Sequence, residues 1–376
     1  MDTWVRDTDL SRVAKGLEAA RRILQDRLKR RRITKHEFQR EDALLSGGTD
    51  WAGFGATDLV IEAVFEDLAV KHQVFAQIEA QVGPDCIVAS NTSTIPIGRI
   101  AQGAKRPERV IGMHFFSPVD RMPLLEVIPG EQTAPWAVVT AVTFGRRLGK
   151  TVVVVRDRPG FWVNRVLAPY IAEAGRLMAE GVSVEHIDKV AVRFGFPVGP
   201  VTLMDEVGLD VVHKASAVMH QAFGDRLAPL DGIARMIAEG RLGRKSGRGF
   251  YRYSGGKKES PDPAATDLFG GRHRGPAPSP DAVRDRLVFA LLNEAAMALE
   301  EGVVRSARDG DIAAIFGFGF PPFRGGPLRY ADDLGAARVV ETLDRLKKEH
   351  GNRFEAAPSL RRMAQTSGTF YGDARR

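Results

Sequence analysis

The sequence predicts an α/β domain with a Rossmann-like parallel sheet, followed by two tandem, related all-helical domains. Three observations support this prediction. Over residues 3–157, short apolar runs alternate with patterns of helical periodicity, which is typical of a parallel sheet covered on both faces. Beyond residue 157 the patterns are mostly helical. Two stretches of that helical part also resemble each other at a constant offset, which indicates a tandem duplication.

Six short apolar runs are the strand candidates of the first domain. They show little alternation, as expected of strands buried on both faces. They cover residues 3–7, 58–65, 86–90, 110–116, 124–128 and 151–155. Helices are predicted over 10–32, with Asp9 as the N-cap, and over 68–82. Because such sheets bind ligands at the carboxyl ends of their strands, we expect the functional site there.

The predicted domain boundaries follow these changes of pattern. They give a sheet domain over 1–157, helical domains over 158–253 and 282–376, and a linker rich in Gly, Pro, Ser and Lys over 254–281. The positions that match between the two helical copies are Asn164 and Asp285, Asp188 and Asp309, and Asp205 and Asp332. Two related units can pack as a pseudo-dimer within one chain, and for the second copy a purely structural role is favoured.

Composition narrows the class of protein. The 376 residues, 44% hydrophobic and 27% charged, are typical of a globular protein of two or three domains, and they exclude a disordered chain or a disulfide scaffold. The single cysteine excludes an intrachain disulfide and CxxC metal sites, so we expect a cytoplasmic protein without a metal. No apolar run is long enough to span a membrane, and no secretory signal is expected at the N-terminus. The net charge of +7 is compatible with phosphate-bearing partners without selecting among them.

Four polar residues near predicted strand ends form the candidate catalytic set: Ser93, His114, Glu126 and Asn164. Glu126 interrupts an apolar strand and needs a partner, because an unpaired buried carboxylate is costly, and His114 is the obvious candidate. An imidazole held by a carboxylate is suited to removing the proton of a secondary alcohol. The alternatives stay open at this point, since His114 could be structural and Ser93 and Asn164 could cap helices.

Further residues point to a dinucleotide. Glu66, at a strand end, and Lys71, one turn into the next helix, could face a ribose or a nicotinamide, or they could form an exposed ion pair of little energetic value. Asp7 could accept bonds from ribose hydroxyl groups or be a turn residue. The basic run over 27–35 has three interpretations: a solvated helix end, a nucleic-acid surface or a clamp for nucleotide phosphates.

Several long motifs resemble the 3-hydroxyacyl-CoA dehydrogenases. They are Asp58-LVIEAVFEDLAVK, Ala89-SNTST, Val110-IGMHFFSPVDRMPLLEVI, Pro159-GFWVNR, Gly195-FPVGP and Gly243-RKSGRGFYRY. The match extends in order from about residue 7 to about residue 332. The tandem helical repeat is most similar to the α subunit of bacterial fatty-acid oxidation complexes.

The resemblance implies a role for each matched position. His114 would be the catalytic base and Glu126 its partner, while Ser93 and Asn164 would contact the substrate. NAD would be the cofactor, and the matching contact residues are Asp7, Glu66, Lys71, Ser93, Ser117 and Lys245. Ser117 departs from the usual asparagine, which weakens one expected nicotinamide contact. The implied reaction is oxidation of (3S)-3-hydroxyacyl-CoA to 3-oxoacyl-CoA in β-oxidation.

The main departure from the family is the glycine-rich GxGxxG turn, which this sequence lacks. The sheet is therefore expected to be incomplete, without its first βα unit, and NAD binding is expected to be weak or absent. This leaves a second function open, a non-catalytic acyl-CoA-binding or assembly subunit. The resemblance also implies an acyl-CoA substrate and association with a thiolase β subunit or with a second copy, and it favours the phosphate clamp over nucleic acid.

Overall fold

The structure, a computed structural model, describes residues 1–269 and 278–372. A five-stranded sheet lies at the centre of the first domain, in the order β3-β4-β5-β6-β7. Its strands are β3 (Leu59–Glu62), β4 (Ile87–Ser90), β5 (Val110–Phe115), β6 (Leu124–Pro129) and β7 (Thr151–Val154). The predicted apolar runs therefore form strands, and the three central ones are almost fully buried. The helices of this sheet are α3 (Leu68–Glu79), α4 (Ile97–Ala101) and α5 (Pro135–Arg147).

One pair of strands is not parallel. β5 and β6 run antiparallel, whereas β3–β4, β4–β5 and β6–β7 are parallel. The predicted parallel sheet is confirmed except for this pair, which is antiparallel because residues 116–123 are too few for a crossover helix. The antiparallel register places His114 directly opposite Glu126.

A separate two-stranded parallel sheet precedes the central one. It pairs β1 (Thr3–Arg6) with β2 (Leu45–Gly48), and α1 (Leu10–Lys29) and α2 (Lys35–Ala43) connect the two strands. The Asp9 carboxylate accepts the Ser11 N–H, which confirms the predicted N-cap of α1. Among the described residues, β1 pairs only with β2 and β3 only with β4, so each has one unpaired edge. Both strands are correspondingly more exposed than β4–β6.

The remainder of the described chain is mainly helical. The first unit contains α6 (Val163–Ala179), α7 (Val184–Phe194), α8 (Pro200–Val207), α9 (Leu209–Phe223) and α10 (Asp231–Ala238), then β8 (Tyr251–Ser254), β9 (Lys257–Pro261) and α11 (Pro263–Phe269). The second contains α12 (Pro280–Glu300), α13 (Ala307–Phe318), α14 (Pro327–Leu334), α15 (Ala336–His350) and α16 (Pro358–Thr366). No helix in the described ranges is long and apolar enough to cross a membrane.

The predicted linker over 254–281 was wrong for its first part. β8 and β9 form an antiparallel hairpin, and α11 follows. Gly255 and Gly256 form the two-residue turn with φ of 55° and 75°, the backbone conformation for which hairpins select glycine. The Gly- and Lys-rich composition resembled a linker because the turn consists of two glycines and β9 is short and exposed. Residues 270–277 of the predicted linker lie outside the described residues.

The duplicated units are joined by reciprocal ion pairs between α6 and α12. Arg165 contacts Glu294 and Glu301, and at matching positions Arg286 contacts Glu173 and Glu180. The guanidinium Nε lies 2.8 Å from Glu294 Oε1 in one set and 3.0 Å from Glu173 Oε2 in the other. This repetition has the form of a two-fold interface within one chain.

In each helical unit a buried aspartate caps the start of a helix, and this repeated feature corrects the sequence alignment of the two copies. Asp188 accepts the N–H groups at the start of α8 and the Tyr251 hydroxyl, while Asp311 does the same for α14 and Tyr371. Asp311 is thus the counterpart of Asp188. The sequence match to Asp309 was wrong, because Asp309 lies in the first turn of α13, where its N–H bonds the Ser306 cap.

Candidate active site

A histidine–glutamate pair lies at the centre of the site. His114 Nδ1 is 2.8 Å from Glu126 Oε2, and their side chains are 5% and 0% exposed. The pairing follows from the antiparallel register of β5 and β6, which puts both side chains on the same face of the sheet. With Nδ1 engaged by a carboxylate, Nε2 is the nitrogen left to accept a proton. The structure therefore brings together the two residues that sequence reasoning paired.

The second oxygen of Glu126 ties the sheet to the first helical unit. Glu126 Oε1 accepts the backbone N–H groups of Trp162 and Val163, at 3.2 and 3.0 Å. These amides lie at the beginning of α6, where free N–H groups and the helix dipole favour a negative charge. The carboxylate is thus satisfied at both oxygens, which explains how it is accommodated without solvent.

Aromatic rings pack against the imidazole. The ring centroid of His114 lies 4.5 Å from that of Phe116 and 5.7 Å from that of Phe161. Phe161 is fully buried and has a φ of 49°, an uncommon conformation for a non-glycine residue, next to Gly160 with a φ of 72°. This turn directs the chain so that the amides of α6 meet Glu126.

Ser93 and Asn164 are also close together. The Asn164 amide Nδ2 donates to the Ser93 backbone carbonyl at 3.3 Å, and both residues are partly exposed. Neither serves as a helix cap. Asn164 lies inside α6, whose N-cap position is Trp162, and the first amides of α4 are held by Asp157 instead of by Ser93. Both side chains therefore remain candidates for contact with a ligand.

Glu66 holds the turn that contains Ser93. Its Oε1 accepts the Ser93 N–H at 3.0 Å, the Thr94 N–H at 3.0 Å and the Thr92 hydroxyl at 2.6 Å. Burial works to raise the pKa of Glu66, but bonds from Thr92 and Thr94 and the charge of Lys71 outweigh it, so that its pKa lies below the ordinary value. Glu66 is therefore an anion that fixes the Ser93 backbone.

Lys71 is placed differently from the sequence-based expectation. Its side chain is 1% exposed, and its ammonium lies 2.8 Å from Glu62 Oε1 and 3.4 Å from Glu66 Oε2. The alternative of an ion pair with Glu66 therefore holds, but the Lys71 side chain is buried and not exposed, because α3 packs this residue against the end of β3. The Ser90 hydroxyl donates to the other oxygen of Glu62 at 2.7 Å. Lys71 thus stabilises the Glu66 carboxylate through an ion pair.

The other three proposed cofactor residues do not join this cluster. Asp7 accepts the Thr8 N–H in the turn between β1 and α1, and Ser117 is exposed just beyond β5. Lys245 forms an ion pair with Asp210 in the first helical unit. Within the described ranges, none of the three has a hydrogen bond or ion pair to Glu66, His114 or Asn164.

Sequence reasoning missed several residues that position the site. Glu62 accepts a bond from the Lys71 ammonium, and the Thr92 hydroxyl donates to Glu66. Asn91 accepts the Phe115 N–H at 2.9 Å, which links β4 to the end of β5. Glu62 could have been found, because an acidic residue inside an apolar strand needs a partner for the same reason as Glu126. The part played by the Trp162 and Val163 amides has no signal in the side-chain sequence.

The described residues offer an incomplete site for a dinucleotide. Asp7 has the carboxylate expected to bind ribose hydroxyl groups, and Ser93 contacts Asn164 of α6, the helix whose first amides bind Glu126. The pyrophosphate of such a cofactor needs free amides at a glycine-rich helix start. The turn before α1 instead consists of Asp7, Thr8 and Asp9, and Asp9 already occupies the Ser11 amide. Among the described residues, the turn before α1 therefore offers no site for the phosphates of the cofactor.

Comparisons with known proteins give a consistent result. The family model described as "3-hydroxyacyl-CoA dehydrogenase, NAD binding domain" matches residues 1–158, and "3-hydroxyacyl-CoA dehydrogenase, C-terminal domain" matches 160–253 and 283–370. The fatty acid oxidation complex subunit alpha of Shewanella sp. (strain ANA-3) is 46% identical over 371 residues, which is 98% of this chain and 52% of that protein. The chain thus spans about half the length of the curated relatives it matches.

Solved structures agree with the sequence relatives. 3-Hydroxybutyryl-CoA dehydrogenase from Escherichia coli K12 has a TM-score of 0.85 at 28% identity, covering 97% of this chain and 93% of that one. FadB2 from M. tuberculosis has a TM-score of 0.66 at 38% identity, covering 68% of this chain and 91% of that one. The two family models together match most of the sequence, on both the sheet and the helical units. This chain belongs to the 3-hydroxyacyl-CoA dehydrogenase family.

Proposed function

We propose that this chain provides the dehydrogenase chemistry that oxidises (3S)-3-hydroxyacyl-CoA to 3-oxoacyl-CoA in fatty-acid β-oxidation. The observation that carries the proposal is the buried contact of 2.8 Å between His114 Nδ1 and Glu126 Oε2. Oxidation of a secondary alcohol requires a base for the hydroxyl proton, and a neutral imidazole oriented by a carboxylate is such a base. NAD, when bound, would supply the hydride acceptor.

The residues of this chain act on the proton. His114 Nε2 takes the proton of the substrate hydroxyl group as the hydrogen on the same carbon leaves with its electron pair. Glu126 keeps the Nδ1–H tautomer before the transfer and stabilises the imidazolium after it. Because the pair is buried between β5, β6 and α6, water competes little for these bonds.

Two partly exposed groups are candidates for orienting the substrate. The Asn164 amide donates to the Ser93 backbone carbonyl, and we assign the Ser93 hydroxyl and the Asn164 amide to the reacting oxygen and the thioester carbonyl. The turn that carries Ser93 is fixed by Glu66, and α6, which carries Asn164, is fixed by Glu126. Binding of the coenzyme A phosphates is assigned to the exposed basic end of α1, where residues 29–32 are Lys-Arg-Arg-Arg.

The incomplete dinucleotide site favours a second candidate function, a non-catalytic acyl-CoA-binding or assembly subunit. It is supported by the acidic turn before α1, which offers no cradle of free amides for a pyrophosphate. If this second function is the correct one, the chain by itself should bind NAD weakly or not at all. Isothermal titration of the purified chain measures this directly, and an affinity in the low micromolar range would contradict the expectation.

Turnover separates the two functions. Acetoacetyl-CoA-dependent oxidation of NADH is followed at 340 nm for the chain and for His114→Gln. The dehydrogenase proposal expects activity that falls roughly 10²- to 10⁴-fold in the variant. If neither protein turns over while both bind acetoacetyl-CoA equally, the second function is favoured. Loss of folding in the variant is checked by its circular dichroism spectrum.

The name of the Shewanella relative describes a subunit of a complex. By analogy we propose association with another subunit of the same pathway, a thiolase β subunit, with self-association as the alternative. A cytoplasmic location, expected from the single cysteine, stays a prediction. Size-exclusion chromatography with light scattering, with and without a thiolase, tests both forms of association.

A further inference from the structure

A second crevice lies beyond the His114–Glu126 pair, at the C-terminal ends of β6 and β7. Its walls are the ends of β6 and β7 and the loop after α12, and the space between them is about 300 Å³. That volume is at the lower end of the roughly 300–1,000 Å³ typical of small-molecule sites. Pro129 lines the crevice three residues after Glu126 on β6, about 10 Å further along the strand. The crevice is therefore distinct from the candidate active site.

The lining has two chemical parts. One wall is aliphatic, with Val154 from β7, Leu299 from α12 and Val304 from the loop, and no aromatic ring contributes. The other part consists of the exposed guanidinium groups of Arg156 and Arg305. An aliphatic surface with two cations at its margin suits an amphiphilic anion better than a neutral ligand or a free phosphate.

The backbone around the crevice is rigidly joined. The Arg156 N–H donates to the Val303 carbonyl at 2.8 Å, so the loop of the second helical unit continues the edge of β7. Arg156 lies against Gly302, whose added Cβ would be 3.5 Å from Arg156 Cζ. In the described ranges Arg156 has no carboxylate partner, and Arg305 has only Asp309, at 3.3 Å. Arg156 is thus positioned by packing and free to bind an anion.

We propose that this crevice binds a medium-chain aliphatic carboxylate, with Arg156 and Arg305 on the carboxylate and Val154, Leu299 and Val304 against the alkyl chain. The bidentate geometry of guanidinium and carboxylate groups makes arginine well suited to this role. The proposal does not depend on catalysis by the histidine pair.

Octanoate is the probe, and its binding to the full chain is measured by ligand-observed NMR titration at pH 7. We expect a Kd on the order of 1 mM, as for a ligand of about ten non-hydrogen atoms. 1-Octanol and acetate should each bind at least tenfold more weakly, because one lacks the charge and the other lacks the chain. If either binds as tightly as octanoate, the proposal is wrong.

Variants locate the site. Arg156→Gln/Arg305→Gln should weaken octanoate binding at least tenfold, and both residues are exposed, so folding should be retained. Arg308→Gln is the matched control, since Arg308 is exposed on α13 outside the crevice lining. His114→Gln should also leave binding unchanged. Unchanged octanoate binding by the double variant would overturn the proposal. So would a result in which His114→Gln loses octanoate binding while the double variant keeps it, because octanoate would then bind elsewhere.

Discussion

At the scale of single residues, Glu126 determines which nitrogen of His114 carries the proton. A glutamine at this position has only one acceptor oxygen, whereas the carboxylate serves His114, Trp162 and Val163 together. If the glutamine oxygen keeps the two amides, its NH₂ group must donate to Nδ1, and the imidazole takes the opposite tautomer. Glu126→Gln should therefore lower kcat roughly 10²- to 10⁴-fold with a small change in KM.

The tautomer can be measured without turnover. ¹⁵N NMR of the histidine side chains should show Nδ1–H for His114 in the wild type and Nε2–H in Glu126→Gln. Glu131→Gln is the control, because Glu131 is exposed just beyond β6. An unchanged tautomer in Glu126→Gln, together with unchanged kcat, would contradict the assigned role of Glu126.

Two buried aspartates, one in each helical unit, should give stability an unusual dependence on pH. Burial raises the pKa of Asp311 to about 7 and that of Asp205 to about 6. The folded protein then keeps a proton on Asp311 that the unfolded chain releases near pH 4, so this contribution to stability is lost as the pH rises through 7. Relative to Asp311→Asn, the wild type should lose about 2–3 kcal/mol of unfolding free energy between pH 5 and pH 7.

Urea unfolding at pH 5, 6, 7 and 8 measures this loss. Asp205→Asn is the internal comparison, because the folded pKa of Asp205 is lower. The difference in unfolding free energy between Asp205→Asn and the wild type should level off at about pH 6. The difference between Asp311→Asn and the wild type should continue to change up to about pH 7. Two parallel curves, or a wild type that gains stability relative to Asp311→Asn as the pH rises, would show that Asp311 is ionised in the folded protein throughout.

At the scale of elements, β1, β2 and α1 bury few side chains. Only Val13 and Leu24 of the 20 residues of α1 are buried, and β1 has one unpaired edge. Local opening is easiest where few apolar contacts are lost. Backbone amides of β1, β2 and α1 should therefore exchange with deuterium roughly tenfold or more faster than those of β4–β6. Equal protection in hydrogen-exchange mass spectrometry would be the contrary result.

The same elements show what the sequence could and could not predict. The buried strands were predictable because the only polar side chains of β4, β5 and β6 are Ser90, His114 and Glu126. The pairing of His114 with Glu126 was predictable from the cost of an isolated buried carboxylate. β2 (Leu45–Gly48) was missed, because its two glycines and single large apolar residue carry no strand pattern. β9 was missed because its charged, exposed residues have no alternation to detect, whereas β8 does alternate, from buried Tyr251 to exposed Arg252, but is only four residues long.

Placement of the cofactor candidates shows a different limit. Glu66 and Lys71 were identified, but their roles depend on Glu62 and Thr92, which approach from other strands and turns. A sequence motif identifies residues that share a function. It does not show which of them bind the ligand and which bind other protein groups. For Lys71 that information comes only from its burial against β3.

At the scale of the whole molecule, one apolar core joins the sheet to both helical units. It includes Val88 of β4, Val163 of α6 and Leu291 of α12, so unfolding of any one unit exposes the others. The reciprocal pairs of Arg165 and Arg286 cross the centre of this core between α6 and α12. We therefore expect the two helical units to unfold together in one transition.

The two arginines should nevertheless differ in their effect on stability. Removing Arg165 leaves Glu294, which is 2% exposed, with only Arg226 among the described cations that contact it. Removing Arg286 leaves Glu173 with both Arg176 and Arg353. The main cost of each substitution is the buried carboxylate that loses a cation, and Glu294 keeps fewer cations than Glu173. Arg165→Met should therefore lower the unfolding free energy by about 3 kcal/mol and Arg286→Met by about 2 kcal/mol.

The double variant Arg165→Met/Glu294→Met tests the cause. It removes the charge left behind and replaces both side chains by apolar ones of similar length, so it should regain most of the stability lost in Arg165→Met. Urea unfolding at pH 7 measures all four proteins, and a single transition is expected in each. A larger loss in Arg286→Met than in Arg165→Met would contradict the argument from residual partners. Failure of the double variant to recover would mean that packing of Arg165, including its contact with the Phe223 ring at 4.6 Å, stabilises the interface more than its charge does.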